Sequence, residues 1–171
     1  DFIYTLGVAP CLFEVNSGKF AYTAYKSQIN IDGLSKKYQF RTTTVSQNVE
    51  NIRAIVNLIR RHNPKATVVL SVSPVPLNAT FERKSVIMAD TISKSVLRLA
   101  AEEYLQEAPE GIIYWPSFEI VRWLGPHRTG TSYGSDDGES RHVNQDLINL
   151  IIDEFISLFG ANLQSSRPPS D

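Results

Sequence analysis

The 171-residue sequence holds one cysteine, Cys11, so no disulfide can form within the chain and thiol-rich metal centres are excluded. An excess of one charge is also missing: 17 basic and 18 acidic residues leave a formal net charge of −1, and neither sign forms a block. Nucleic acid and anionic membrane both select a basic face, so neither is expected as the main partner. No run is long and apolar enough to span a bilayer, and no signal peptide is visible. With the cysteine usage, this makes a cytoplasmic location the expectation; a targeting segment upstream of Asp1 would fall outside the sequence. His62, His127 and His142 are spread too widely for a compact zinc site. There is no Gly-rich phosphate loop to support nucleotide binding, and no internal repeat.

What is present is 42% apolar and 20% charged residues, the balance of a globular domain with one core. "FIYTLGV" (2–8) predicts a buried strand that stops at Gly7. Residues 14–42 are mixed and aperiodic and read as a long excursion, either functional, such as a lid over a substrate, or partly disordered. In "TVSQNVENIRAIVNLIRRHNP", Val45, Val49, Ile52, Val56 and Ile59 form one helical stripe. Thr44 and Gln47 resemble a capping box there, and Pro64 marks the stop. "ATVVLSVSP" (66–74) is a strand buried on both faces. A second helix is expected over about 90–108, a third strand in "GIIYWP", and a short helix in "SFEIVRWLG". A last helix follows with Leu147, Ile151, Phe155 and Leu158 inward and Gly160 at its end; residues 161–171 are expected to be a disordered tail. The alternation implies a single α/β domain over 1–160 with a parallel sheet. Ligands of such sheets sit outside the carboxyl ends of the strands, here "LGVAP", "SVSPVP" and "YWPS".

The chemistry-bearing stretch is "SDDGESRHVN" (135–144), which places acids three and five residues before His142. An imidazole beside a carboxylate can accept a proton from a nucleophile while the acid holds its other nitrogen. Glu139 or Asp137 could fold back to do this. The plainer reading is a polar loop in which acids favour the helix N-terminus and Asn144 caps it. His62 suits the carbonyl end of its helix, and His127 falls in a flexible, exposed loop. Ser71 and Ser73 alternate at a strand end, so one should face the ligand edge; Ser73 could equally satisfy only the turn backbone. "NAT" at Asn78 matches a glycosylation acceptor, a triplet common by chance. Tyr114, Trp115, Phe118 and Trp123 could stack on a sugar, with core packing the simpler expectation.

Four segments resemble the GSCFA family, a bacterial group related to the SGNH hydrolases. They are "YTLGV" (4–8), "SVSPVPLNATF" (71–81) followed by "SKSVLR" (93–98), "YWPSFEIV" (114–121) and "DDGESRHVN" (136–144). The resemblance implies a flavodoxin-like, SGNH-type three-layer sandwich, here an N-terminally truncated copy. It also implies esterase or acyltransferase chemistry on an acylated glycan or related small ester, without metal or cofactor. His142 matches the base. Glu139 holds the spacing of the acid, whereas Asp137 matches the family's "DG…RHV" wording with Glu139 and Ser140 inserted. Gly7 and Ser73 would line the acyl and oxyanion end. The Gly-Ser-Cys-Phe-Ala segment carrying the family's nucleophile is absent and expected upstream of Asp1, so the chain alone is expected to be inactive. Ala9 stands where SGNH enzymes place an oxyanion-donating Asn. These departures support a second expectation, a non-catalytic glycan-binding or assembly module. A missing strand would leave a sheet edge open to self-association.

Overall fold

The computed structural model describes residues 2–21, 36–107, 109–128, 130–134 and 138–160. The expected disordered tail lies outside them. The described residues are mixed α/β, built on a parallel three-stranded sheet as the alternating pattern predicts. Two compact units divide the chain: residues 1–70 with 77–114, and residues 71–76 with 115–171.

In the first unit, β1 (Phe2–Leu6) ends one residue before Gly7. It is less buried than expected: Phe2 is 44% and Ile3 65% exposed, and only Leu6 is fully inside. The reason is its position at one end of the sheet order, with β5 (Val68–Val72) in the middle and β6 (Ile112–Trp115) beyond. Every residue of β5 is buried, as a central parallel strand requires.

Parts of the expected excursion, residues 14–42, are strands that pair with the segment just before it; its residues 22–35 lie outside the described ones. β2 (Pro10–Glu14), β3 (Lys19–Ala21) and β4 (Tyr38–Thr42) form an antiparallel sheet with β2 central. Phe13 pairs with Phe20 across it, their rings edge to face at 5.5 Å, and the Arg41 guanidinium covers Phe13 at 4.6 Å. Strands of three to five mixed residues carry little periodicity; cross-strand ring contacts hold them instead.

α1 (Val45–His62) matches its prediction. Thr44 Oγ1 accepts the Gln47 N–H while the Gln47 side chain accepts the Thr44 N–H, a complete capping box. Val49, Ile52 and Val56 are buried, and Arg60, Arg61 and His62 occupy the carbonyl end. α1 packs against α2 (Val86–Gln106), where Leu97, Ala100 and Ala101 are inside. Removing each Ile, Val or Leu side chain from water contributes about 1.5–3 kcal/mol. α2 starts four residues before the expected Asp90 because Ser85 caps it, so its first turn carries exposed Ile87 and Met88.

After β6, the second unit holds α3 (Ser117–Glu119), a π-helical turn (Ile120–Leu124) and α4 (Gly125–Arg128). His127 is therefore exposed on a helix, not on a loop, and lines an apolar cavity of about 310 Å³ with Ile151 and Glu154. α5 (Gln145–Phe159) closes the described chain. Val121, Val143 and Leu147 form the centre of this unit. Trp115 packs edge to face on Phe155 and Phe159, at 5.2 and 6.0 Å, so its role is core packing. Two expectations fail here: Trp123 is 70% exposed and Leu158 63% exposed. The π-turn resets the angular spacing that a regular helix would give Trp123, and Leu158 lies in the last turn of α5.

Candidate active site

The segment that carries His142 is anchored by burial just after it. Val143 and Leu147 are 4% and 0% exposed, and Val143 forms an antiparallel bridge with Tyr133. The Gly134 N–H donates to His142 O and the Asn144 N–H to Ser132 O, both at 3.0 Å. The His142 N–H donates to Glu139 O at 3.0 Å, closing a tight turn. Gly138 supplies the left-handed backbone (φ 81°) at the entry to that turn. Asn144 Oδ1 accepts the Asp146 N–H at 2.9 Å and caps α5, as the plainer reading expected. His142 thus sits half-buried two residues before the cap, with both its N–H and its C=O engaged.

Further contacts brace this segment. The Tyr133 hydroxyl donates to Pro74 O at 3.0 Å, tying it to the exit of β5. Ser132 Oγ donates to Val121 O at 2.9 Å, and the Arg122 guanidinium lies over both the Phe118 and Tyr133 rings. Phe118 therefore stacks on a cation of its own chain.

Of the two acids, Glu139 has an exposed side chain with its Oε2 4.0 Å from Arg141 Nε. It meets the histidine through its backbone carbonyl. Asp137 lies outside the described residues. Ser73 is half-buried and its Oγ accepts the Val75 N–H at 3.3 Å, the turn-satisfying role. Ser71 is 2% exposed; its hydroxyl donates to Trp115 O at 2.8 Å and lies 3.0 Å from Ser117 Oγ. Ser73, not Ser71, is thus the serine nearer the surface. Asn78 is exposed.

Gly7 belongs to the first unit. It is exposed, and a Cβ built on it would meet nothing within 4 Å. Packing therefore does not explain the glycine. Ala9, in contrast, is 2% exposed and fully engaged. Its N–H donates to Ser93 Oγ at 2.8 Å, and its C=O accepts from Thr43 N (3.1 Å) and Thr43 Oγ1 (2.9 Å). The Asn48 amide donates to Thr43 Oγ1 at 2.7 Å. Lys94 Nζ donates to Gly7 O at 2.8 Å, and Asp90 Oδ1 accepts the Leu77 N–H at 2.9 Å.

A family model for the GSCFA family matches residues 1–155, which include the Gly7 turn, the β5 exit and the anchored His142 segment. The chain belongs to the GSCFA family. No curated protein and no solved structure matches it significantly.

In this GSCFA chain Asp90, Ser93 and Lys94, given no individual role above, are all 4% exposed or less. Their signal was visible: polar residues at i, i+3 and i+4 interrupt the apolar face of α2. Among the described residues no three His, Cys, Asp or Glu side chains come together as a metal group, and no helix is long and apolar enough to cross a membrane. The Cys11 thiol donates to Arg41 O at 3.4 Å. Burial pushes its pKa up, Glu82 adds to this, and Arg41 opposes it. That thiol is a poor nucleophile at neutral pH. Chemically, the GSCFA chain offers a braced imidazole at a helix entry and an uncovered backbone turn at the end of β1.

Proposed function

We propose that this GSCFA chain carries the base half of an SGNH-type ester hydrolase or acyltransferase acting on an acylated glycan or related small ester. The observation that carries the reading is the bracing of His142, whose backbone is held on both sides just before α5. A general base works only if its reach to the nucleophile is preset. In this scheme a serine of the Gly-Ser-Cys-Phe-Ala segment, which this sequence does not contain, attacks the acyl carbon and gives its proton to His142. Collapse of the tetrahedral oxyanion expels the alcohol, which takes that proton. Water, or the hydroxyl of an acceptor, then releases the acyl group by the same steps. Asp137 or Glu139 holds the second imidazole nitrogen, and Gly7 and Ser73 are, each on its own, candidates to meet the acyl group. The chemistry requires no metal or cofactor.

The test is turnover of p-nitrophenyl acetate. A protein containing both that segment and this chain should hydrolyse it, and His142→Ala should cost about a thousandfold or more. The 171-residue chain alone should be inactive; turnover by it that disappears in His142→Ala would overturn the assignment of the nucleophile.

A second reading, a non-catalytic glycan-binding or assembly module, draws support from Ala9. With its N–H on Ser93 and its C=O on Thr43, this residue has nothing left to offer an oxyanion. Losing one oxyanion donor typically costs about a hundred- to thousandfold in rate. Binding of acylated oligosaccharide without turnover, unaffected by His142→Ala, would favour this module.

A further inference from the structure

Three polar side chains occupy the buried face of α2 where an apolar stripe would be ordinary. Asp90 is 4%, Ser93 0% and Lys94 1% exposed, among Leu97, Ala100, Ala101 and Tyr104 on the same helix. Burying an ammonium is costly, and a well-packed apolar residue would serve stability better. What these groups hold is backbone at strand exits. Lys94 grips Gly7 O and Ser93 the Ala9 N–H after β1, while Asp90 takes the Leu77 N–H beyond β5. Such carboxyl ends are where α/β sheets place their ligands.

The Gly7–Val8 peptide is trans, there being no cis bond among the described residues. In a trans peptide the C=O and the N–H point in opposite directions. Since the Gly7 carbonyl faces the buried Lys94 Nζ, the Val8 N–H faces away from it. Gly7 and Val8 are both exposed, Val8 by 52%, and no side chain stands within 4 Å of where a Gly7 Cβ would be. A cation bonded to the carbonyl draws charge through the peptide and makes its N–H a stronger donor, as bonds in a chain reinforce one another. Ser93 and Thr43 fix the next residue, Ala9, so the turn has one geometry.

We propose that Lys94 is a positioning residue: through the Gly7–Val8 peptide it presets and polarises the Val8 N–H as a donor to a negatively charged oxygen, a carboxylate or the oxyanion of an acyl group. This assigns the donor that Ala9 cannot be. It rests on the acyl-site reading for its substrate, but not for its physical test.

The experiment is ¹H–¹⁵N NMR of the chain with acetate as the probe. Without acetate, Lys94→Met should move the Val8 amide proton upfield, and Lys94→Arg should restore most of its position. With acetate, the Val8 amide of the unmodified chain should shift downfield and saturate; Lys94→Met should weaken this by about twofold, because Nζ does not touch the acetate and only reinforces its bond through the peptide, by about 10–30%. Val8→Pro removes the donor and leaves Lys94 in place; read through the Gly7 and Ala9 amides, since proline has none, acetate binding should be abolished in it even if Lys94→Met fails to fold. A Val8 amide unmoved by Lys94→Met, or acetate binding intact in Val8→Pro, overturns the proposal. An ester assay in which His142→Ala has no effect overturns the acyl chemistry instead, and leaves the Val8 titration standing.

Discussion

Gly125→Ala probes the packing on which the His142 segment depends. Gly125 is buried at the junction of the π-turn and α4, and a Cβ there would lie 2.5 Å from Ser132 Oγ and 2.7 Å from Leu147 Cδ2. Neither neighbour is at the end of a long flexible side chain. Leu147 is 0% exposed, and Ser132 Oγ is committed to Val121 O. Overpacking of this kind costs about 1–3 kcal/mol. Displacing the serine hydroxyl adds about 1 kcal/mol. Alanine's higher helix propensity returns at most about 1 kcal/mol. The net expectation is destabilisation by about 1–3 kcal/mol, measured by urea unfolding. Tryptophan fluorescence suits the assay, because Trp115 and Trp123 both belong to the unit that contains Gly125. Ser132→Ala alone should cost about 1 kcal/mol. It also makes room, so the double variant should be less destabilised than the sum of the singles. If Gly125→Ala is as stable as the parent, or the two effects simply add, the close approach of Gly125 to Ser132 is wrong.

Two further predictions concern the first unit. Thr44→Ala removes one half of the capping box and should destabilise by about 1 kcal/mol in urea unfolding followed by far-UV circular dichroism, with Gln47→Ala costing less on that background than on its own. Cys11 should react with iodoacetamide more slowly than a free thiol at pH 8, its rate rising with pH to a midpoint above the usual thiol range, and Glu82→Gln should lower that midpoint. The sign for stability follows from the raised pKa. The fold favours the neutral thiol, so this contribution is full below the ordinary thiol pKa and is lost as pH rises through the shifted value.

How much of this was legible in the sequence depends on whether a residue's neighbours are near it in the chain. α1 could be read almost to its ends, because its cap lies within four residues and its stripe repeats every turn. β5 was as plain, since a strand buried on both faces is a continuous apolar run. The sheet of β2, β3 and β4 was missed because its evidence is cross-strand, with Phe13 on Phe20 and Arg41 on Phe13. The composition of β1 is that of a buried strand, and only the strand order shows why Phe2 and Ile3 are exposed. For the candidate site, His142 and its cap at Asn144 could be found from local wording. The Lys94 contact with Gly7 spans 87 positions, and a pattern that treats lysine as outward-facing cannot anticipate it.

The division of the chain also has a consequence for synthesis. Residues 71–76 group with 115–171, while 77–114 group with 1–70, so the chain passes from one unit to the other three times. A ribosome delivers residues in order, and the first unit cannot complete its own packing until Tyr114 has emerged. By then the short 71–76 segment is already exposed, waiting for partners that begin at Trp115. Neither unit exists as one continuous stretch, so neither can be excised by a single cut or fused elsewhere as a cassette. Recombination within a family of such chains would be tolerated near the ends far better than between residues 70 and 115.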